Sequence, residues 1–444
     1  MQKVYKKLSI PQILVIGFLS VLTVGGSLLM LPVASQTQTF TGFWDAFFTA
    51  ASALFVTGQI TLTTATHWNL FGKTVILSLI EIGGLGFMSF IVIFFFLLGK
   101  KLSLREKKVI QESLNIDEIS QAKSLVKYVI LFSLAIQAMG AFLLSIRFIP
   151  MLGFAKGAYY SIFHSISAFC NAGFDLFGNS LISFQEDPYV LAIIMSLIVI
   201  GGLGFIVWRD LLTYHKNKKL LLHTRLVLSA TLIIIGVSFI LFTISELKNG
   251  TFAHLKPFDQ FMNTLFLVVT PRTAGYASID YRSLSLAGLF ITLLLMFIGG
   301  SSGSTAGGFK TTTLSILVLS LVANLKREEP HFQKRSIGKG RVDRAVLLLV
   351  VGIVLISIAT ILLLLTQTLP DGFGLEAVLV EVFSCFGTVG LSLGLTPYLN
   401  WFGKFVLIIL MFMGRVGTLT VILSLNTVDK ENKVHYPEGS VLIG

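Results

Sequence analysis

Ser384-Cys385-Phe386-Gly387-Thr388-Val389-Gly390-Leu391 has three counterparts elsewhere in the same chain. They are Ser52-Ala53-Leu54-Phe55-Val56-Thr57-Gly58-Gln59, Ser167-Ala168-Phe169-Cys170-Asn171-Ala172-Gly173-Phe174 and Val269-Thr270-Pro271-Arg272-Thr273-Ala274-Gly275-Tyr276. The anchor glycines at 58, 173, 275 and 390 are 115, 102 and 115 residues apart. Each tract follows a short apolar, Phe-rich run. About 25 residues on, each is followed by a second glycine-rich knot: Gly83-Gly84-Leu85-Gly86, Gly201-Gly202-Leu203-Gly204, Gly299-Gly300-Ser301-Ser302-Gly303 and Gly414-Arg415-Val416-Gly417. An internal fourfold repeat of this kind decides the architecture before any single element does.

The tracts carry little side-chain chemistry, so their work belongs to the backbone. Glycine allows positive φ and close approach of another group. A run of carbonyls can replace the water shell of a bare cation. Irregular backbone at membrane depth survives only where protein buries it or where it lines a watery cavity. The competing reading is that small residues merely let helices pack closely in lipid. That explains the Gly-Gly knots, but not the polar Asn171, Arg272 and Thr388 beside the anchor glycines. The tracts therefore predict an ion filter built from the carbonyls of Val56-Thr57-Gly58, Asn171-Ala172-Gly173, Thr273-Ala274-Gly275 and Thr388-Val389-Gly390.

Composition agrees. Of 444 residues, 54% are apolar and 13% charged, with mean hydropathy +0.84; a soluble chain carries about 25% charged residues. Cys170 and Cys385 sit at different offsets from their glycines, with no metal or disulfide spacing. The net charge of +12 would suit nucleic acid, but most Lys and Arg fall in loops alternating with the filter tracts. Lys3, Lys6 and Lys7 precede the first span, 11–32. Loop 99–127 holds Lys100, Lys101, Arg105, Lys107, Lys108, Lys123 and Lys127. Arg209, Lys216, Lys218, Lys219 and Arg225 follow the second repeat; Lys326, Arg327, Lys334, Arg335, Lys339, Arg341 and Arg344 follow the third. Asp175, Glu186, Asp187, Asp371 and Glu376 flank the tracts on the other side. The positive-inside rule then predicts cytoplasmic termini and filters that open outward.

The expected fold is an all-α polytopic membrane protein: four M1–pore helix–M2 repeats, eight spans plus four re-entrant pore helices around a pseudo-fourfold pore. Repeat 1 covers 12–99, with a pore helix at 43–56 and a second helix at 73–99. Repeat 2 covers 124–213, with spans near 124–149 and 188–213 and a pore helix near 157–169. Repeat 3 covers 223–322, with a span near 224–246, a pore helix near 258–269 and an interrupted segment at 285–322. Repeat 4 covers 342–428, with spans near 343–368 and 401–427 and a pore helix near 373–385. Residues 1–11 and 429–444 form cytoplasmic ends. The first apolar run is a retained helix rather than a signal peptide, because pore-like sequence follows it.

Two further features bear on mechanism. Residues 298–313 are too rich in Gly, Ser and Thr to remain a lipid-facing helix. A flexible intramembrane gating loop is expected at 299–313, with Gly300, Gly303, Ser304, Thr305, Gly307, Gly308 and Lys310 as its working residues. A phosphate loop is excluded, because Phe309 intervenes between Gly308 and Lys310 and no strand precedes. In the fourth knot Arg415 replaces a glycine; an arginine at bilayer depth is paired or functional. Facing a cation path it would repel ions, and Glu81 is the obvious acid for the alternative, purely structural pair. Asp45, Asp259 and Glu376 lie near the starts of three pore helices, where the helix dipole favours acids. Glu381, inside the fourth, is expected to support the filter through hydrogen bonds rather than bind the ion.

Taken together, Leu8-Ser9-Ile10-Pro11-Gln12, Cys170-Asn171-Ala172-Gly173-Phe174, Arg272-Thr273-Ala274-Gly275-Tyr276, Gly300-Ser301-Ser302-Gly303-Ser304-Thr305-Ala306-Gly307-Gly308 and Phe386-Gly387-Thr388-Val389-Gly390 resemble the superfamily of K⁺ transporters that includes bacterial Trk and Ktr membrane subunits and plant HKT proteins. Within it the chain looks most like the KtrB-type subunit, over essentially its whole length. The resemblance implies channel-like K⁺ uptake across a bacterial cell membrane, with Gly58 favouring K⁺ over Na⁺. It also implies a gating loop at the interrupted segment, and an arginine at position 415 that obstructs permeation. It further implies a homodimer aided by the C-terminal tail and a cytosolic ring of RCK-type nucleotide-binding subunits; such systems can be Na⁺-dependent. The potassium ion is then the cargo, with no covalent cofactor, no enzymatic site and no nucleic-acid partner. The rival is an alternating-access or ion-coupled symporter, which would call for inverted repeats; these repeats run parallel.

Overall fold

The computed structural model describes residues 10–86 and 122–425. The N-terminal lysines, the second helix beyond residue 86, most of the first basic loop and the C-terminal tail lie outside the described residues.

One order of elements recurs four times: a long apolar helix, a short helix ending in a glycine turn, and a second helix. The long helices are α1 (Ile10–Met30), α4 (Ala122–Leu152), α8 (Leu222–Asn249) and α12 (Lys339–Thr366). By length and composition these four could each cross a bilayer. Each shows an apolar side outward, as at Val24, Phe142, Leu232 and Leu365, all more than 60% exposed.

The short helices are α2 (Phe43–Leu54), α5 (Phe154–Cys170), α9 (Pro257–Val269) and α13 (Leu375–Gly387). At 1.5 Å per residue they reach roughly 18–26 Å, less than the hydrocarbon thickness. They supply much of the core: Phe48, Phe163, Phe169 and Phe266 are fully buried. Their bounds agree with the sequence reading to within a few residues.

The second helices are α3 (Leu70–Leu85), α6 (Pro188–Leu203), α10 (Leu286–Phe297) and α14 (Trp401–Val416). Each starts under a polar cap whose side chain accepts a backbone N–H: Asn69 from Gly72, Asp187 from Val190, Ser285 from Gly288, and Asn400 from Phe402 and Gly403. Neither α6 nor α14 continues as the unbroken span that hydropathy suggests. After α6 the chain turns by 93° into α7 (Phe205–Asn217). After α10 comes the loop 298–310 and then α11 (Thr311–Lys326); after α14 comes α15 (Thr418–Leu425). The breaks after α6 and α14 fall on the knots, because Gly204 and Gly417 have φ of +99° and +96°, a conformation an α-helix cannot contain; Gly86, at the end of α3, shares it with φ +84°. The expected uninterrupted helices at 188–213 and 401–427 are thus each two helices. A two-strand hairpin, β1 (His331–Phe332) and β2 (Arg335–Ser336), joins α11 to α12.

The knots also explain their own glycines. A Cβ on Gly83, Gly201 or Gly414 would run into the carbonyl of Leu54, Phe169 or Phe386 respectively. Each of those carbonyls is four residues before an anchor glycine. The second helix of a repeat is thereby seated directly on the end of its short helix.

Candidate functional site: a ring of four backbone turns

Each tract begins where a short helix ends, and all four adopt the same unusual backbone. The residue two before the anchor glycine has positive φ: Val56 +57°, Asn171 +60°, Thr273 +81° and Thr388 +51°. The anchors follow at +90° (Gly58), +69° (Gly173), +74° (Gly275) and +97° (Gly390). Alternation of hand turns successive peptide groups of one kind to one side.

The N–H groups are tied backward. Thr57, Ala172 and Val389 donate to the carbonyls of Ser52, Ser167 and Ser384 at 2.7–2.8 Å, and Ala274 donates to Thr270 at 2.9 Å. Gly58 and Gly390 donate to the Ser52 and Ser384 hydroxyls at 3.0 and 2.9 Å. Among the described residues, the carbonyls of Val56, Thr57, Asn171, Ala172, Thr273, Ala274, Thr388 and Val389 accept no hydrogen bond. All eight residues are at most 1% exposed. Buried carbonyls are nearly always paired, so eight that accept no protein donor in one cluster are free to meet a cation or water.

The turns meet in a closed cycle. A Cβ on Gly58 would strike the Ala172 carbonyl, and one on Gly173 would lie 2.7 Å from the Ala274 carbonyl. A Cβ on Gly275 would strike Val389, and one on Gly390 would strike Thr57. The same positions lie 3.0–3.2 Å from the Cα of the next anchor glycine. Neighbours thus run first, second, third, fourth and back to first, with all twelve tract residues named from the sequence in the ring.

The loop 298–310 packs against the first residues of these tracts. A Cβ on Gly307 would strike the Thr388 hydroxyl, one on Gly308 would lie 3.1 Å from Gly387, and one on Gly299 would lie 3.3 Å from Thr273 Cγ2. Thr305 donates its hydroxyl to the Phe169 carbonyl (3.0 Å) and stands 3.1 Å from the Asn171 amide. The loop is also laced to the knots: Ser301 N–H to Gly202 (3.0 Å), Thr305 N–H to Gly201 (3.2 Å), Gly308 N–H to Gly414 (3.1 Å), and Phe205 N–H to the Gly303 carbonyl (2.9 Å). The Gly300 carbonyl receives Thr311 N–H at 3.1 Å. Ser304 donates its hydroxyl to the Ser301 carbonyl at 2.6 Å. Lys310 folds back, its ammonium donating to the Ala306 and Gly307 carbonyls at 2.7 and 3.2 Å.

Arg415 completes this layer. Its guanidinium donates to the carbonyls of Gly83, Gly84 (2.9 Å) and Thr305. It therefore bridges the first knot and the loop. The suggested pair with Glu81 does not form. Glu81 instead accepts from the Gln137 amide at 2.9 Å and from the Cys170 thiol at 3.4 Å.

Glu381 is fully buried behind the ring. Its carboxylate accepts from the hydroxyls of Ser392 (2.5 Å) and Thr396 (2.7 Å), the Leu395 N–H (3.3 Å) and the Gln59 amide (2.5 Å). The filter-support expectation thus has a geometry, although the groups held are the exit loop of the fourth tract and a side chain of the first. Sequence reasoning passed over Gln59, Tyr276 and the ion pair of Lys404 with Asp45 (2.7 Å). Among the described residues no group of three or more His, Cys, Asp or Glu could hold a metal ion.

Comparisons with known proteins agree with this architecture. Residues 3–436 match the family model described as TrkH, cation transport protein. The chain is 48% identical to the potassium/sodium uptake protein NtpJ of Enterococcus hirae, over 100% of this chain and 99% of that one. It is 41% identical to the Ktr system potassium uptake protein B of Bacillus subtilis, over 98% and 96% of the two chains. The crystal structure of the potassium transporter TrkH from Vibrio parahaemolyticus superposes with a TM-score of 0.70 at 23% identity, covering 92% of this chain and 84% of that one. A recurrent helix–turn–helix order, a closed ring of glycine turns and a full-length family match lead to one conclusion: the chain is a multi-pass membrane protein that belongs to the TrkH family of cation transport proteins.

Proposed function

We propose that this chain is the K⁺-translocating membrane subunit of a bacterial Ktr-like uptake system, and that the ring of four turns is its selectivity filter. The observation that carries the reading is the set of eight buried, unpaired carbonyls in one closed cycle. A dehydrated alkali cation would supply what those oxygens lack. In this reading the four repeats form a pseudo-fourfold pore, their second helices bent at the knots, and their short helices direct negative dipole ends toward the ion. The loop 298–310, held by knots two and four and by Arg415 of the fourth, is the gate. Glu381 supports the filter without touching the ion.

The driving force is the membrane potential, about 2.3 kcal/mol per charge per 100 mV. Similarity to Ktr-system proteins supports a partner subunit; assembly as a homodimer with cytosolic RCK-type nucleotide-binding subunits is the form that the family resemblance implies. The name of the Enterococcus hirae relative supports a role for Na⁺ beside K⁺. Both termini are assigned to the cytoplasm by the distribution of Lys and Arg.

The test is Rb⁺ uptake by a K⁺-uptake-deficient bacterium expressing the chain with its regulatory partner. Gly173→Ser and Gly275→Ser put an L side chain at positive φ against the neighbouring turn's carbonyl, and uptake is expected to be lost in both at normal membrane expression. Unchanged uptake in both variants rejects the filter.

A further inference from the structure

The residue immediately after each anchor glycine divides the ring in a way its repeat symmetry does not. These residues are Gln59, Phe174, Tyr276 and Leu391, all at most 2% exposed. The first and third are polar, and each reaches across a seam to a neighbouring repeat.

The Tyr276 hydroxyl donates to the Phe174 carbonyl at 2.9 Å, and the Ser167 hydroxyl donates to that same carbonyl at 2.9 Å. Tyr276 is fixed from its own side, because Thr270 donates its hydroxyl to the Tyr276 carbonyl at 2.5 Å. Gln59 makes the corresponding link at the seam between the fourth and first repeats. Its amide donates to the Glu381 carboxylate and to the Glu381 carbonyl (3.3 Å), and its Oε1 accepts the Cys385 thiol at 2.7 Å.

The other two seams differ at this level. Between the third and fourth repeats the link lies farther out, from Arg282 Nε to the Leu393 carbonyl at 2.7 Å. Between the first and second, no hydrogen bond joins the exit loops among the described residues, and even a Cβ added at Gly178 would only reach van der Waals distance of Ala65 and Thr63. The ring is therefore two clasped pairs of turns, four with one and two with three.

We propose that Gln59 and Tyr276 are the positioning residues that fix the ring's aperture, and through it the preference for K⁺ over Na⁺. This rests on the reading of the ring as a K⁺ filter. Neither side chain touches the ion; each holds the spacing between two carbonyl-bearing turns. A smaller ion is disfavoured only if those turns cannot close on it, and a fully buried hydrogen bond across the seam resists that closure.

Tyr276→Phe removes one hydroxyl and keeps the ring; Gln59→Met keeps length and removes both donor and acceptor. Leu391→Met, at the equivalent apolar position, controls for packing. The measurement is Rb⁺ uptake against rising Na⁺ in the K⁺-uptake-deficient strain, with maximal rate normalised to transporter in the membrane. In Tyr276→Phe we expect the Na⁺ concentration that halves uptake to fall about tenfold, the worth of one buried hydrogen bond of about 1.4 kcal/mol, and in Gln59→Met, which removes three bonds, to fall by at least as much. Maximal rate should stay within about twofold. The double variant should lose the product of the two effects, because the clasps lie on different seams. Unchanged Na⁺ discrimination in both single variants, or an equal loss in Leu391→Met, overturns the proposal while leaving the filter reading intact. Absence of Rb⁺ uptake by the unsubstituted protein overturns the filter reading itself.

Discussion

At the scale of single residues, Arg415 holds the greatest leverage. Its guanidinium makes three of its four hydrogen bonds to carbonyls of the first knot and one to Thr305 in the loop. Bonds from a charged donor contribute about 1.5–3 kcal/mol each. Removing the side chain should therefore free the loop as well as remove a positive charge. Arg415→Ala is expected to raise K⁺ flux in the absence of regulatory subunits by on the order of tenfold, read as Rb⁺ efflux from proteoliposomes. Flux equal to that of the unsubstituted protein, at equal reconstitution, rejects the barrier role. That this arginine would be engaged was legible in the sequence, because a charge within a glycine knot is anomalous. Its partners were not: Glu81 is the nearest acid by depth, yet its carboxylate is engaged by Gln137 and Cys170. Which atoms meet across 110 to 332 residues of chain is settled by packing, and no local pattern records it.

At the scale of elements, the knots teach the clearest lesson. Hydropathy reads α6 with α7, and α14 with α15, as continuous spans, because averaging over a window ignores one glycine. The break was nonetheless written in the sequence as the last glycine of the second and fourth knots, Gly204 and Gly417, and the start of each second helix as Asn69, Asp187, Ser285 or Asn400, 10 to 14 residues past the anchor. Caps and breaks follow from local chemistry, so both were open to a sequence reading that looked for them. The two kinds of helical glycine should separate by experiment. Gly414→Ala drives a Cβ into the Phe386 carbonyl and to 3.2 Å from Thr388 Cγ2, whereas a Cβ on Gly236 in α8 meets nothing within 4 Å. Thermal unfolding in detergent should show Gly414→Ala destabilised by about 1–3 kcal/mol. Gly236→Ala should be neutral or stabilised by up to about 1 kcal/mol. Equal behaviour would mean that the knots are not packed as described.

At the scale of the whole molecule, a ring built from one chain must join its last repeat to its first. Here the seam is held by Lys404–Asp45 at 2.7 Å, by Gln59 between Glu381 and Cys385, by Trp44 packed on Trp401 with ring centroids 5.7 Å apart, and by Gln12 donating to the Ser424 carbonyl. The ion pair is partly shielded, with side-chain exposures of 11% and 29%. A double-mutant cycle with Lys404→Ala and Asp45→Ala should give a coupling of about 1 kcal/mol in thermal stability. Additive losses would assign the seam to the aromatic and amide contacts alone. The repeat itself was readable because glycine-dependent turns recur at nearly fixed spacing. The seam was not, because Lys404 and Asp45 are 359 residues apart and each, taken alone, looks like an ordinary interfacial charge.

A ring assembled from four identical copies of one chain repeats any lesion four times, and mixed assemblies dilute it. In this molecule each quadrant is encoded once and varies alone. A single nucleotide change can alter one wall of the ring while three stay constant, so on the proposed filter reading ion preference drifts by quarter steps under selection, and no wild-type copy masks the change within the same ring.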